Sequence, residues 1–298
     1  MEFTKPAQNP DHHLQLLLGR GLLVRDEDNP KYYIENIGYY RLSGYMYPFQ
    51  LPDGSHRFQE GTTFRHILDH YIFDKKLKLA LLDALERIEI SLRSSISNTY
   101  SLTHGPHWYL DRSLFNSPVL HAKFLAETKD RCISSNEHFI KAYRNKYTRP
   151  EMPPSWMAFE TLTFGTLASV YENLKDDENK KAIATKFGTL PSILESWLKS
   201  MNFIRNCCAH HSRLWNRRIP LKPKIPTRRQ NRFLTLVDEE TDKRLYGILT
   251  CMVYVLEKIN PTTQFKQRFK GLLLEYPQVN VAHMGFHDQW LSEDIWIR

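Results

Sequence analysis

The sequence predicts a mainly α protein built as a helical bundle, and three observations lead there. Apolar residues recur at helical spacing from Phe64 to about Tyr100. Projection of Trp197 to Trp215 at about 100° per residue gathers Trp197, Ile204, Cys207, Cys208, Leu214 and Trp215 on one side. The longest apolar run, Tyr246 to Leu256, falls short of the roughly 20 residues that cross a bilayer and reads as a core helix.

The elements follow in chain order. Asn9 or Asp11 caps a helix that ends at Gly19 and Gly21, and Asn29-Pro30 opens a second that stops near Gly38. The tyrosine-rich run from Tyr39 and the Pro52-Asp53-Gly54-Ser55 turn before Phe58 predict a short hairpin. Residues 1–60 therefore read as a small N-terminal helical and hairpin module, and 61–298 as the bundle. The long 64–100 stretch is expected to carry a kink or break. Helices are then expected at about 118–130, 136–146, 157–175, 178–187, 191–215, 239–258 and 261–274. No internal repeat or low-complexity segment interrupts the series.

Composition narrows the class. With 298 residues, 41% hydrophobic and 12% aromatic, the chain has ample core for one large domain or two unequal ones. The opening Met1-Glu2-Phe3-Thr4-Lys5-Pro6 lacks the apolar stretch of a secretory signal. Cys132, Cys207, Cys208 and Cys251 show no paired ligand spacing, the pattern of reduced thiols in a cytoplasmic protein. The expectation is a cytoplasmic protein with no membrane partner.

Net charge is +8, and its placement is informative. Arg213, Arg217, Arg218, Lys222, Lys224, Arg228, Arg229 and Arg232 fall in one segment, 213–232, that holds no acidic residue. Pro220, Pro223 and Pro226 make that segment an extended loop with basic side chains splayed outward. A charge run is ordinarily a solvated surface. Beside a phosphate-cleaving site it becomes a grip on a polyanion backbone, since Lys and Arg contacts to phosphates dominate such binding.

The candidate site lies immediately before this loop. Continued as a helix to 215, the chain places Asn202, Asn206, His210 and Arg213 in one polar stripe, and Arg205 flanks it across Ala209. Histidine moves protons near neutral pH. Arginine presents a fixed fork of donors to developing phosphate charge. Together they suit attack by a ribose 2′-hydroxyl, a group only RNA carries. The bland alternative is a solvated helix face, and similar Arg-to-His pairs occur at Arg65 and His70 and at Arg131 and His138. Three features set the stretch at 205 apart: Asn206 follows the arginine, the stripe interrupts an apolar helix, and the basic loop follows at once.

Other residues carry less. His66 and His70, with Asp69 and Asp74 nearby, have a spacing that binds zinc on a helix, yet no further ligand completes the set, so no metal or cofactor is expected. His211 falls on the apolar side as a packing residue, with a role as second base left open. Glu89 and Arg93 are i,i+4 and form a helix-face ion pair worth about 0.2–0.5 kcal/mol.

The run Arg205-Asn206-Cys207-Cys208-Ala209-His210 resembles the signature of HEPN ribonucleases. The wider chain resembles the Abi-like abortive-infection family of bacterial phage-defence proteins (the AbiD/AbiF group). The resemblance rests on five segments: Asn36 to Tyr45, Glu86 to Arg93, Pro154 to Gly165, Arg205 to Asn216 and Met284 to Trp290. It implies a HEPN-like helical bundle and a metal-independent endoribonuclease acting as a homodimer and leaving 2′,3′-cyclic phosphate ends. Arg205, Asn206 and His210 are then catalytic, and Glu89 and Arg93 brace the arginine from a neighbouring helix. Arg213, Arg217, Arg218, Lys222, Lys224, Arg228 and Arg229 contact RNA. The resemblance further implies regulation by a structured noncoding RNA. The alternative is a non-catalytic RNA-binding or sensing protein of a defence or toxin-antitoxin system, and a third is a module that recognises a phage component.

Overall fold

The computed structural model describes residues 2, 4, 6–226, 233–235, 241 and 243–297. Two compact units emerge: residues 1–79 with 269–280, and residues 80–268 with 281–298. Helices build both, and among the described residues β structure is confined to isolated bridges.

In the first unit α1 (Pro10–Gly19) starts where expected, because the Asn9 side chain accepts from the His12 amide at 2.8 Å. Pro30 opens α2 (Pro30–Ile37), and Gly38 ends it at φ 92. The hairpin expected from Tyr39 is instead a helix, α3 (Tyr39–Met46). Leu42, Tyr45 and Met46 are its buried residues. That i, i+3, i+4 spacing fills one helical face, whereas a strand would have buried alternate positions. What remains of the hairpin is one bridge, Gln50 to Phe58, closed around a turn in which Asp53 accepts from the Ser55 amide at 2.9 Å.

The expected break does not occur in α4 (Phe64–His104), one helix of 41 residues. Leu77, Leu81, Leu85, Ile88, Leu92, Ile96 and Tyr100 are all buried along it, an unbroken stripe that leaves no turn without packing support.

In the second unit α5 (Pro118–Ser134) and α6 (His138–Lys146) match the expected helices. The helix expected over 157–175 is broken into α7 (Ser155–Ala158) and α8 (Phe164–Asn173). Thr163 caps α8 by accepting from the Thr166 amide at 3.2 Å. The carbonyls exposed by the break find a partner on α4, where Arg93 donates to Phe159 O at 2.9 Å and to Leu162 O at 3.1 Å.

After α9 (Glu178–Lys186) comes α10 (Pro191–Ala209), which packs against α8, α9 and α11 (Leu245–Ile259). Helix α11 is buried on nearly every side, so the apolar run at 246–256 is a core helix as expected. The chain closes with α12 (Phe265–Glu275) and α13 (Asp294–Ile297). Among the described residues no helix is long and apolar enough to cross a membrane. All four cysteines are free and buried.

Candidate functional site

The site is built at the C-terminal end of α10. Leu194, Trp197, Leu198, Met201, Ile204, Cys207 and Cys208 form its buried face, which fixes the rotation of the helix and turns Asn202, Arg205 and Asn206 away from the core. The helix does not run to 215. It stops at Ala209, with His210 as the capping residue and His211 in the left-handed region at φ 55. The Ser212 amide bonds Cys207 O at 2.9 Å and the His211 amide bonds Cys208 O at 3.1 Å, the paired bonds that close a helix through a left-handed residue.

Three sequence expectations change accordingly. Arg213 lies beyond the helix and is not part of a helical stripe. His211 is exposed and is not on the apolar side. Leu214 and Trp215 are fully buried as expected, though by a turn that folds back and not by a helical face.

That turn is firmly held. The Trp215 ring meets His283 edge to face, with centroids 5.4 Å apart. Arg244 Nη1 donates both to Asn216 Oδ1 at 2.9 Å and to His283 O at 3.0 Å. Burial, and then the Arg244 charge, hold the His283 imidazole below its ordinary pKa.

Arg205 Nη1 donates to Asn206 Oδ1 at 3.1 Å, which orients both side chains and leaves the Asn206 amino group to donate elsewhere. Arg205 also lines a concavity of about 270 Å³ with Glu86, Glu89, Ile90 and Arg93 of α4. Glu89 and Arg93 form an ion pair at 2.8 Å with side chains only 19% and 13% exposed. Because Arg93 also bonds the two carbonyls of the α7–α8 break, the pair fixes tertiary structure and is more than a helix-face contact. Glu86 was not singled out in the sequence. Its spacing of three from Glu89 and seven from Arg93 places all three on one face of α4, a signal that was present.

His210 stands apart from this concavity. Its ring is exposed and makes no hydrogen bond to a described residue, while its amide bonds Asn206 O at 2.9 Å. It lies five positions after Arg205, which at helical geometry is a rotation of about 140° and a rise of about 7.5 Å.

The basic loop runs back along α10. The Lys224 amide donates to Ser196 Oγ at 2.9 Å, Trp197 Nε1 donates to Lys224 O at 2.8 Å, and Ser200 Oγ donates to Leu221 O at 3.2 Å. These bonds place the exposed Lys222 and Lys224 beside the N-terminal half of the helix, where they share a concavity with Lys199. Arg217 is not splayed outward. Its guanidinium lies 5.6 Å from the Phe203 ring centroid and donates to Arg213 O at 3.2 Å. Arg218 is exposed, and Arg228 and Arg229 lie outside the described residues.

The histidine pair of α4 is structural. His70 is buried with Nδ1 2.7 Å from His66 O, Asp74 accepts from Tyr45 Oη at 2.6 Å and pairs with Lys78 at 2.9 Å, and Asp69 pairs with Arg65 at 2.8 Å. Among the described residues no three His, Cys, Asp or Glu side chains gather into a metal-holding group.

Comparison with known proteins adds one match: the profile of the family described as Abi-like protein aligns with residues 32–216. No curated protein and no solved structure matches the chain. The matched span contains four of the five segments named above and ends at Asn216, so the rest of the basic loop, 217–232, and the 284–290 segment fall outside it. Spanning well over half of the sequence, the match establishes that the chain belongs to the Abi-like protein family.

Proposed function

We propose that this protein is a metal-independent endoribonuclease of a bacterial abortive-infection system. The 2′-hydroxyl of the substrate attacks the adjacent phosphorus, the 5′-oxygen leaves, and a 2′,3′-cyclic phosphate remains. His210 transfers the proton at one of these oxygens, Arg205 stabilises the charge that develops on the phosphoryl oxygens, and Asn206 donates its amino group to phosphate. Arg218, Lys222 and Lys224 hold the RNA backbone. Restraint by a structured noncoding RNA fits a toxic activity that must stay silent before infection.

The observation that carries this reading is the division of labour at the end of α10. Arg205 is oriented by Asn206 beside a half-buried ion pair, whereas His210 is exposed and uncommitted. Membership of the Abi-like family supports the phage-defence setting. The test is incubation of purified, nucleic-acid-free protein with RNA and with DNA in excess EDTA. RNA alone should be cut, leaving cyclic phosphate ends. Cutting that stops with chelator and returns with magnesium overturns the mechanism.

A second reading is favoured by the separation of Arg205 from His210 around α10. In a protein that binds RNA without cutting it, the two need not converge on one phosphate. Tight RNA binding without cleavage at any protein concentration selects that reading.

A further inference from the structure

Residues 138–150, which span α6 and the segment after it, hold Lys141, Arg144, Lys146 and Arg149 and no aspartate or glutamate. All four cations are exposed. Arg144 and Lys146 lie in the last turn of α6, where a helix C-terminus favours positive charge. That accounts for two of the four. Lys141 sits near the middle of the helix and Arg149 beyond its end, so the helix dipole explains neither. Neither side chain makes a hydrogen bond or ion pair with a described residue.

The backbone under this run is held in place. Tyr143 Oη donates to Pro150 O at 2.8 Å and to Met152 O at 3.0 Å, which folds the 147–152 segment back against α6. Arg144 Nη1 donates to Ile133 O of α5 at 3.0 Å, leaving Nε and Nη2 as donors on a guanidinium whose place is already fixed. Between α5, α6 and the returning segment lies a concavity of about 410 Å³, with Lys129, Arg144, Tyr147 and Thr148 in its wall. Its one carboxylate, Glu151, is compensated by Lys129 at 3.0 Å. Tyr147 is 46% exposed and carries Lys146 Nζ 5.3 Å from its ring centroid, so that ammonium rests on an aromatic face and not on a carboxylate. The face thus combines an oriented fork of donors with three further cations, a surface complementary to closely spaced negative charge.

We propose that α6 and the 147–149 segment form a second grip on the RNA backbone. Arg144 takes one phosphate at the concavity, and Lys141, Lys146 and Arg149 take its neighbours along the strand. Contacts of this kind supply affinity without reading sequence. The concavity shares no lining residue with those at α10, so the grip is additional to Lys222 and Lys224. An RNA long enough to engage both is tethered at two points, which favours long RNA over short fragments. The proposal rests on the ribonuclease reading for RNA as the polyanion.

The test measures binding of a long, mixed-sequence 2′-O-methyl RNA, which has no free 2′-hydroxyl to attack, to the full-length protein by fluorescence anisotropy over a range of salt. Lys141→Gln, Lys146→Gln and Arg149→Gln are combined, and Arg144 is left in place because its bond to Ile133 O joins α5 to α6. The triple variant should bind more weakly by on the order of tenfold. Its slope of log affinity against log salt should fall by about 2, at about 0.7 for each lost phosphate contact. Neutralising three exposed cations elsewhere, Lys75, Arg112 and Lys123, should leave the slope unchanged. Equal slopes for wild type and the α6 variant, or equal losses in the two triple variants, overturn the proposal. Polyglutamate bound as tightly as RNA of the same charge assigns the face to an acidic protein and overturns it as well. Cleavage of an unmodified tetranucleotide separates the two readings, since the α6 variant should cut it at the wild-type rate. Cutting with an unchanged salt slope overturns the second grip alone, whereas the slope change in a protein that cuts no RNA supports the grip and overturns the ribonuclease.

Discussion

Arg244 Nη1 donates to Asn216 Oδ1 at 2.9 Å, and this bond ties down the far end of the turn that begins at His210. Asn216 sits at φ 52, so its backbone is strained as well as held. Arg244→Met should destabilise the protein by about 1.5–3 kcal/mol, the worth of hydrogen bonds from a charged donor. Asn216→Gly removes the acceptor and suits the positive φ, so it should cost less. Urea denaturation of the two single variants and the double variant should give a coupling energy of about 0.5–3 kcal/mol. Strict additivity would show that the bond does not anchor the turn.

His210→Ala and Arg205→Ala should each abolish RNA cleavage while leaving the fold intact. His210 is exposed without a side-chain bond, so its truncation should change stability by less than about 0.5 kcal/mol. Arg205 loses one bond to Asn206 and its lining of the α4 concavity, a somewhat larger effect. Cleavage assays paired with thermal melts distinguish the roles. A His210 variant with full activity would remove the proposed acid–base group.

Local chemistry made much of the fold legible. Asn9, Pro30 and Gly38 punctuate α1 and α2, and the largely apolar run at 246–256 lies within α11. What escaped the sequence depends on residues far apart in the chain. The break at 159–163 is supported by Arg93, more than sixty residues away, and its one local sign is the Thr163 cap of α8. The end of α10 escaped for another reason: the left-handed closing position holds His211 where glycine is usual, so the stop signal is missing. Within the candidate site, the shared face of Asn202 and Asn206 follows from helical spacing. The joining of Arg205 with Glu89 and Arg93 in one concavity required the packing of α4 against α10.

Acid should weaken the fold through His283. Burial and Arg244 depress its pKa in the folded chain, whereas the unfolded chain titrates at about 6.5. Above that value both states are neutral and the full stability is present. As pH falls below about 6.5 the unfolded chain takes up the proton first, and stability is lost until pH passes through the folded value. His13 acts in the same direction, depressed by burial and then by His12. His283→Asn should reduce the drop in urea midpoint between pH 7.5 and pH 5.5. An unchanged drop would exclude His283 as its source.

Lys222→Gln with Lys224→Gln should weaken RNA binding across unrelated sequences, with the loop still tied to Ser196 and Trp197 through the backbone groups of residue 224. Each lost phosphate contact should lower the slope of log affinity against log salt by about 0.7 for single-stranded RNA. Arg217→Gln should behave differently, costing stability through the Phe203 contact. Identical salt slopes for wild type and the lysine double variant would mark the loop as uninvolved.

A two-fold homodimer should supply what one chain separates. Arg205 and His210 are turned about 140° apart around α10, so one phosphate is not readily reached by both from a single helix. A partner helix presented through closed symmetry, the commonest arrangement of soluble oligomers, brings His210 of one chain to Arg205 of the other. Mixed dimers then make a sharp measurement. In a dimer of one His210→Ala subunit and one Arg205→Ala subunit, one composite site keeps an intact Arg205 and an intact His210, while the other loses both. Such heterodimers should recover up to about half of wild-type cleavage, although each parent homodimer is inactive. Recovery should track the fraction of heterodimer formed on mixing. If each reaction instead uses both motifs from both chains, every site contains a defect and no activity returns. Full activity from a monomer, established by light scattering at the assay concentration, would overturn the shared site.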